Sequence, residues 1–463
     1  MNAALVQGDP CYAQLKEYLI QCTGLAYYRT RDDELTQRVG RRLQSLHIDG
    51  YGCYLEMLRA QPAGQAELDL LIAELTIGET YFFRNTEQFD ALRNRILPEI
   101  LERNRAGKTL RCWSAGCANG AEAYSLAVLI RDEFSGRMAG WDVSILGTDV
   151  NRRSLSQARQ GRYEEWALRG MPREVRERLF RPDQGNWLIH ERYRGGVAFQ
   201  YHNLVKDVAP SLLNNLFAFD LILCRNVMIY FDRTTVAAVV DRLWDCVVDR
   251  GWLVVGHADI DPQAFRAFQT LSESGVTVYR KAGTPAAEPA ATPGAAGSWA
   301  VESDGPGPET GKTAPVELPS LAKPDPRPAA PSDRRTTEDL RALADQGAWA
   351  EAANYCSLLL ESAPLDPVTH FYNALILEHM GRLAEAEKSL RRSIYLERRF
   401  VLGHYHLGLL LQRNREASSA ARRCFDNVLA LLESIEDDFQ FGHGDGITAA
   451  GLRELTEMHL EVL

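Results

Sequence analysis

The chain has 463 residues, a formal net charge of −10, 45% hydrophobic residues and 25% charged residues. That length exceeds one typical core, so two or three domains are expected. The acidic balance gives no reason to expect nucleic acid as a partner, and no apolar run reaches the roughly 20 residues of a membrane-crossing helix. The first residues, MNAALVQGDPCYAQ, lack the basic and apolar regions of an export signal. Nine cysteines without a CxxC pair suit a reducing cytoplasm, and no metal site is expected.

Residues 1 to about 105 read as helical. In RDDELTQRVGRRLQSLHI, Leu35, Val39, Leu43 and Leu46 recur at helical spacing, and Arg38, Arg41 and Arg42 stand on the other side. AELDLLIAEL and TEQFDALRNRILPEILERNR read as further helices, the second opened by Thr86 as a cap. From 109 to 281 strand-like runs alternate with helices: LRCW, DVSILGTD, VAFQYHNL, FDLILCRN, GWLVVGH and GVTVYRK. The alternation predicts a doubly wound α/β sheet. NWLIHERYRGGVAFQYHN breaks it, with Arg194-Gly195-Gly196 as a hairpin signal, so a small antiparallel insertion is predicted at about 185–202. Residues 282–335 hold 11 of the chain's 20 prolines and read as a flexible linker. From 336 to 463, GAWAEA, GRLAEA and REASSA recur every 34 residues, with Ala352, Ala386 and Ala420 in register and Ala374 and Gly408 at the same interval. Thirty-four is the tetratricopeptide period, so an all-α repeat domain is expected, closed by a last helix.

The chemistry concentrates in RCWSAGCANGAEAYSLAVLI: a strand, then Gly116 and Gly120, then a helix. A phosphate cradle wants a lysine after the loop, and a dinucleotide cradle wants GxGxxG. Here the glycines are spaced GxxxG and Glu122 follows, a charge that repels phosphate. S-adenosylmethionine carries no phosphate but has a sulfonium and an ammonium, and it tolerates an acid there. Asp149 ends the next strand, where a carboxylate is placed to accept from ribose hydroxyls, as an acid also does in NAD sites, so Asp149 alone does not decide. Asn203 ends YHNL, suited to an adenine edge, and Asn226 and Tyr230 lie in CRNVMIYF at the carboxyl edge of the sheet. Each residue also has a plainer reading. Glu122 can offset a helix dipole, Asp149 can cap the next helix, Asn203 and Asn226 can satisfy loop backbone, and Tyr230 can be core.

LTIGETYFFRN (75–85), WSAGCANGAEAYSLA (113–127), ILGTDVNRRSLSQARQGRY (145–163) and FDLILCRNVMIYFD (219–232) together resemble the CheR family of chemoreceptor glutamate O-methyltransferases. The added linker and repeats resemble its WspC type, from surface-sensing, biofilm-controlling systems. The resemblance implies a helical receptor-docking domain (1–85) and an S-adenosylmethionine-dependent methyltransferase domain (86–281). It implies Thr80, Arg84, Gly116, Glu122, Asp149, Asn203, Leu204, Arg225 and Asn226 around the cofactor, with Arg84 and Tyr230 nearest the transferred methyl. The implied partner is the cytoplasmic coiled coil of a methyl-accepting receptor; the basic face Arg38, Arg41 and Arg42 could dock on such an acidic helix, or be a solvated face balanced by Asp32, Asp33 and Glu34. The repeats would bind a further protein. The chain departs from the family pattern at Gly78, often Asn, and at Ala121, often a second Glu, which would leave Glu122 as the lone acid. A scaffold that binds S-adenosylmethionine without transferring its methyl is the competing reading.

Overall fold

The computed structural model describes residues 10–283 and 336–462, apart from 61–62, 212–213, 260, 274, 346–347, 413–417 and 445. The expected linker at 282–335 lies almost wholly outside the described residues. Four helices, α1 (Pro10–Thr23), α2 (Asp32–Leu46), α3 (Tyr51–Arg59) and α4 (Ala63–Leu75), form the N-terminal domain. Leu35, Val39 and Leu43 of α2 enter its core with Tyr12, Tyr54 and Leu71, as their spacing predicts, whereas Leu46 stays exposed. The helix opened by Thr86 has Asn85 at its cap position, without a side-chain cap bond.

Seven strands form the main sheet: β1 (Thr109–Ala115), β2 (Asp142–Asp149), β6 (Val197–Tyr201), β7 (Phe219–Cys224), β8 (Val247–Val255), β9 (Gln269–Glu273) and β10 (Val276–Arg280). Their order is β6-β2-β1-β7-β8-β10-β9, parallel from β6 to β8, with β10 antiparallel to both its neighbours. Among the main-sheet strands that is 3-2-1-4-5-7-6, and the inserted antiparallel strand separates it from the 3-2-1-4-5-6 dinucleotide order. Leu110 and Cys112 of β1 join one apolar layer, Trp113 and Ala115 the other. Helix α5 (Ala121–Glu133) lies on the first layer, and α7 (Arg233–Cys246) covers the second with Val236, Val239 and Leu243. Helix α6 (Arg152–Gln160) follows β2. Burial on both faces explains why β1 and β7 read as apolar runs without alternation.

The predicted hairpin does not form. β5 (Asn186–Ile189) pairs antiparallel with β4 (Phe180–Asp183) and β3 (Arg162–Tyr163), while β6 pairs parallel with β2. A helical turn, Glu191–Arg194, separates β5 from β6. The antiparallel subdomain therefore runs from 162 to 189 rather than over 185–202. β6 leaves it because Phe199 is buried against α5 in the main core.

C-terminal helices pair as expected. Trp349–Ser362, Leu383–Leu396 and Ser418–Leu432 are successive second helices, each packed on the helix before it. Ala352, Ala374 and Ala386 are fully buried. In the third pair the buried small residue is Ala421 rather than Ala420, a one-residue slip that matches the helix starting at 418. At Gly408 an added Cβ would lie 2.7 Å from the Phe425 ring, so the close helix approach there requires glycine.

Candidate functional site: a two-lobed cleft at the carboxyl edge of the sheet

Between β1 and β7 the strand order reverses, and at such a point the loops at the strand ends open a crevice. The loop after β1 and the loop after β7 face each other there. Gly116 adopts φ +73°, and a Cβ on it would stand 2.4 Å from Val227 Cγ2, so only glycine fits. The cleft has a larger lobe of about 810 Å³ and a smaller one of about 460 Å³, which share Ile77, Gly78, Gly116, Ala118 and Asn226.

Asp149, at the tip of β2, lines the larger lobe. Its Oδ2 accepts from Ala118 N–H at 2.8 Å and its Oδ1 from Asn151 N–H at 2.8 Å. Ala118 reaches it from the left-handed region, φ +49°, a strained posture for a non-glycine residue. Burial raises the Asp149 pKa, and these backbone donors oppose the rise. Each carboxylate oxygen keeps a second lone-pair site for a ligand hydroxyl. Asn151 caps α6, accepting from Ser154 N–H at 3.1 Å, and its amide donates to Thr76 Oγ1 at 2.7 Å. Leu204 and Asn203 also line this lobe. The Asn203 side chain is engaged by protein: it donates to Cys22 O at 2.8 Å and accepts from Val205 N–H at 3.0 Å. His202 beside it is buried, and burial with the Arg242 charge lowers its pKa to about 4, so it is neutral at physiological pH.

Thr80, Arg84, Glu122 and Arg225 line the smaller lobe. Glu122 is not alone. It pairs with Arg225 at 3.2 Å, where the two side chains are 12% and 2% exposed, and it accepts from Ser114 Oγ at 2.7 Å. Arg225 also donates to the Arg84 carbonyl, and its buried Nε has no partner among the described residues. Burial lowers the Arg225 pKa and Glu122 opposes this. Ala121 is fully buried in the apolar core and is not among the residues that line either lobe. At Gly78 a Cβ would meet only Ser154 Oγ, at 3.7 Å, so the cleft has room where other sequences carry Asn. Arg84 donates to Glu79 O at 2.9 Å and makes no ion pair among the described residues.

Asn226 and Tyr230 sit in the loop after β7, and the residue that shapes this loop is Asp259. Buried at 5% exposure, Asp259 accepts from the backbone N–H groups of Asn226, of Ile229 at 2.9 Å and of Gly256 at 3.0 Å. These bonds hold Asn226 at φ +58°, which Asn tolerates. The sequence pattern missed Asp259. Its one signal is an acid just past the end of the GWLVV strand. Tyr230 packs edge-on to Tyr27 of the N-terminal domain at 5.8 Å, and burial raises its pKa, so it keeps its phenolic proton. Tyr27, Tyr28, Thr76 and Ile77 make the N-terminal domain one wall of the larger lobe.

The three arginines of α2 are not in the cleft. Arg42 makes a two-point contact with Glu67, at 2.9 and 2.6 Å. Arg38 donates to the Glu74 carbonyl. Arg41 meets the Glu74 carboxylate at 3.1 Å and stays 56% exposed.

An acid at the tip of β2, an acid paired with arginine in the smaller lobe and no lysine after the glycine loop are compatible with S-adenosylmethionine. Residues 78–276 match the CheR methyltransferase, SAM binding domain. The chain is 32% identical over 265 residues to a probable chemotaxis protein methyltransferase of Rhizobium etli, covering 56% of this chain and 94% of that one. This chain belongs to the CheR family. Its cofactor is S-adenosylmethionine, and it serves methylation in chemotaxis-type signalling. It is also 30% identical over 283 residues to the chemotaxis protein methyltransferase of Salmonella typhimurium, covering 60% of this chain and 92% of that one. Similarity to a probable biofilm formation methyltransferase, WspC of Pseudomonas aeruginosa, extends through the repeats: 27% identity over 405 residues, 84% of this chain and 91% of that one. Among the described residues no helix is long and apolar enough to cross a membrane.

Proposed function

We propose that this CheR-family chain transfers a methyl group to glutamate side-chain carboxylates of a methyl-accepting receptor in the cytoplasm, and that its repeats bind a further protein. The observation that carries this reading is Arg84: a cation lining the smaller lobe, free of any carboxylate among the described residues, whose charge is felt at Tyr230. S-adenosylmethionine supplies a methyl on a positive sulfur, which a carboxylate takes up without losing a proton. A glutamate, with a reference pKa of about 4.3, is ionised at neutral pH, so no general base is needed. The cleft matches that demand, since its one histidine, His202, is buried and neutral.

Asp149 holds the ribose hydroxyls, Glu122 faces the cofactor's ammonium, and Asn203 and Leu204 wall the adenine end. Arg84 orients the incoming carboxylate by a hydrogen bond rather than a fixed ion pair, which limits stabilisation of the ground state. Tyr230 sets the channel through which the two reactants align. The full chain, given S-adenosylmethionine with a labelled methyl and a purified receptor cytoplasmic fragment, should form a product that releases methanol in base. Binding of the cofactor with no transfer to any receptor would favour the scaffold reading instead.

A further inference from the structure

We propose that Tyr81, Arg169 and Trp166 form a ledge that receives the acidic helical segment carrying the substrate glutamate. The proposal rests on the methyl-transfer reading above and adds where the substrate's flank lies. In the turn Glu165–Leu168, Ala167 and Leu168 are buried, yet Trp166 between the subdomain and solvent keeps 64% of its surface exposed and joins no apolar core. The turn is tied to the cleft loop by Phe82 N–H donating to Ala167 O at 3.0 Å. Arg169 is layered between two rings, its guanidinium carbon 4.2 Å from the Trp166 ring and 3.9 Å from the Tyr81 ring. Its two nitrogens donate to Trp166 O at 2.9 Å and to Glu79 at 3.0 Å. The ring contacts and the bond to Trp166 O order the stack before any partner arrives, which lowers the ordering cost of binding.

Tyr81 and Glu79 also line the smaller lobe, so the ledge starts where Arg84 stands. Ile77, 40% exposed, lies on the same loop, and Ile229, 41% exposed, lies beside Tyr230. An exposed indole and a guanidinium stacked on Tyr81, which lines the smaller lobe, fit a helix that carries carboxylates, and exposed Trp and Arg are favoured anchors at interfaces. Charge agrees: residues 162–194 hold eight Arg against six Asp and Glu, while the whole chain carries −10. The Arg169–Glu79 pair does not block an incoming carboxylate. Glu79 is 60% exposed, and such a wet pair is weak and exchangeable.

The test uses the full chain, a receptor cytoplasmic fragment and S-adenosylhomocysteine. Trp166→Ala should raise the KM for the fragment about tenfold, leave kcat at saturation and S-adenosylhomocysteine affinity unchanged, and Trp166→Phe should restore most of the loss. An unchanged KM in Trp166→Ala overturns the ledge while leaving the methyl-transfer reading intact. A fall in S-adenosylhomocysteine affinity or in Tm overturns it as well, because it makes the indole a support for the cleft. No transfer by the unaltered chain to any receptor fragment overturns that reading, and the ledge with it.

Discussion

Asp149 in the larger lobe of the cleft and Glu122 in the smaller lobe are held by different means. Among the described residues Asp149 meets backbone N–H groups and no cation pairs with it. Glu122 meets a buried guanidinium, Arg225, and a hydroxyl, Ser114. Backbone donors fix direction and leave charge balance to the ligand. An ion pair supplies its own balance, and its loss strands a charge. The Asp149 end is thus an acceptor aimed by the chain's path. The Glu122 end is a charge already matched, which a cationic ligand group would have to share.

The largest effect should come from breaking the matched pair. Glu122→Gln keeps the Ser114 contact but leaves Arg225, 2% exposed, without its counter-charge. A loss of about 3 kcal/mol in denaturant unfolding is expected, because removing one partner of a buried pair is costly. S-adenosylhomocysteine affinity should fall with it. A Glu122→Gln protein as stable as the parent would show that the pair is solvated and erase the distinction between the lobes.

Next in size is Gly116→Ala, since both lobes share this residue. The new methyl meets Val227 Cγ2 and the backbone is held at φ +73°. About 2 kcal/mol is expected, half from the clash and half from the left-handed strain. Val227→Ala in the same chain should recover only the first half. Full recovery would mean that the loop relaxes its backbone, and no recovery that the clash never mattered.

Asp149→Asn should be milder, about 1–2 kcal/mol, because an amide accepts with one atom and leaves one of two backbone N–H groups unpaired. Its pH behaviour is the sharper test. Burial raises the Asp149 pKa above its ordinary 3.8. As pH falls through the raised value the folded chain takes up a proton, so, with Asp149 holding the ribose as proposed, S-adenosylhomocysteine affinity should decline on the acid side. Stability responds with the opposite sign. Between 3.8 and the raised value the folded chain binds more protons than the unfolded one, so this group's contribution falls as pH rises. In Asp149→Asn the acid decline attributable to this group should vanish from calorimetric titrations. Its persistence would move the effect to another carboxylate.

What could be read in the sequence divides along the same line. Asp149 and Glu122 were legible because a strand tip and a first helical turn are local features, and so was the absence of a phosphate-binding lysine. Their pairings were not, although the family resemblance names Arg225. Arg225 reaches Glu122 only because β1 and β7 are neighbours in the sheet. Asp259 reaches the Asn226 loop, 33 residues away, only because β7 and β8 are neighbours. The false hairpin has the same origin. Gly195-Gly196 is a sound local turn signal, but pairing was decided by burial of Phe199 in the main sheet. The basic side of α2 was visible too, yet the acids that occupy it, Glu67 and Glu74, come from α4.

That last pairing gives the smallest effect. Arg42 and Glu67, 19% and 8% exposed, repeat the buried arrangement of the Glu122 end, so changing Arg42 disturbs the fold and tests no docking. Arg41, 56% exposed and paired with Glu74 at its surface, can be reversed in charge safely. Arg41→Glu should move stability by no more than about 0.5 kcal/mol, as for other exposed pairs. If α2 faces the acidic receptor helix, the same change should raise the receptor KM at low salt, and the rise should shrink as ionic strength climbs and the Debye length shortens. Cofactor affinity should not move. A receptor KM insensitive to both the substitution and salt would remove α2 from the docking surface and leave substrate binding to the cleft's own rim.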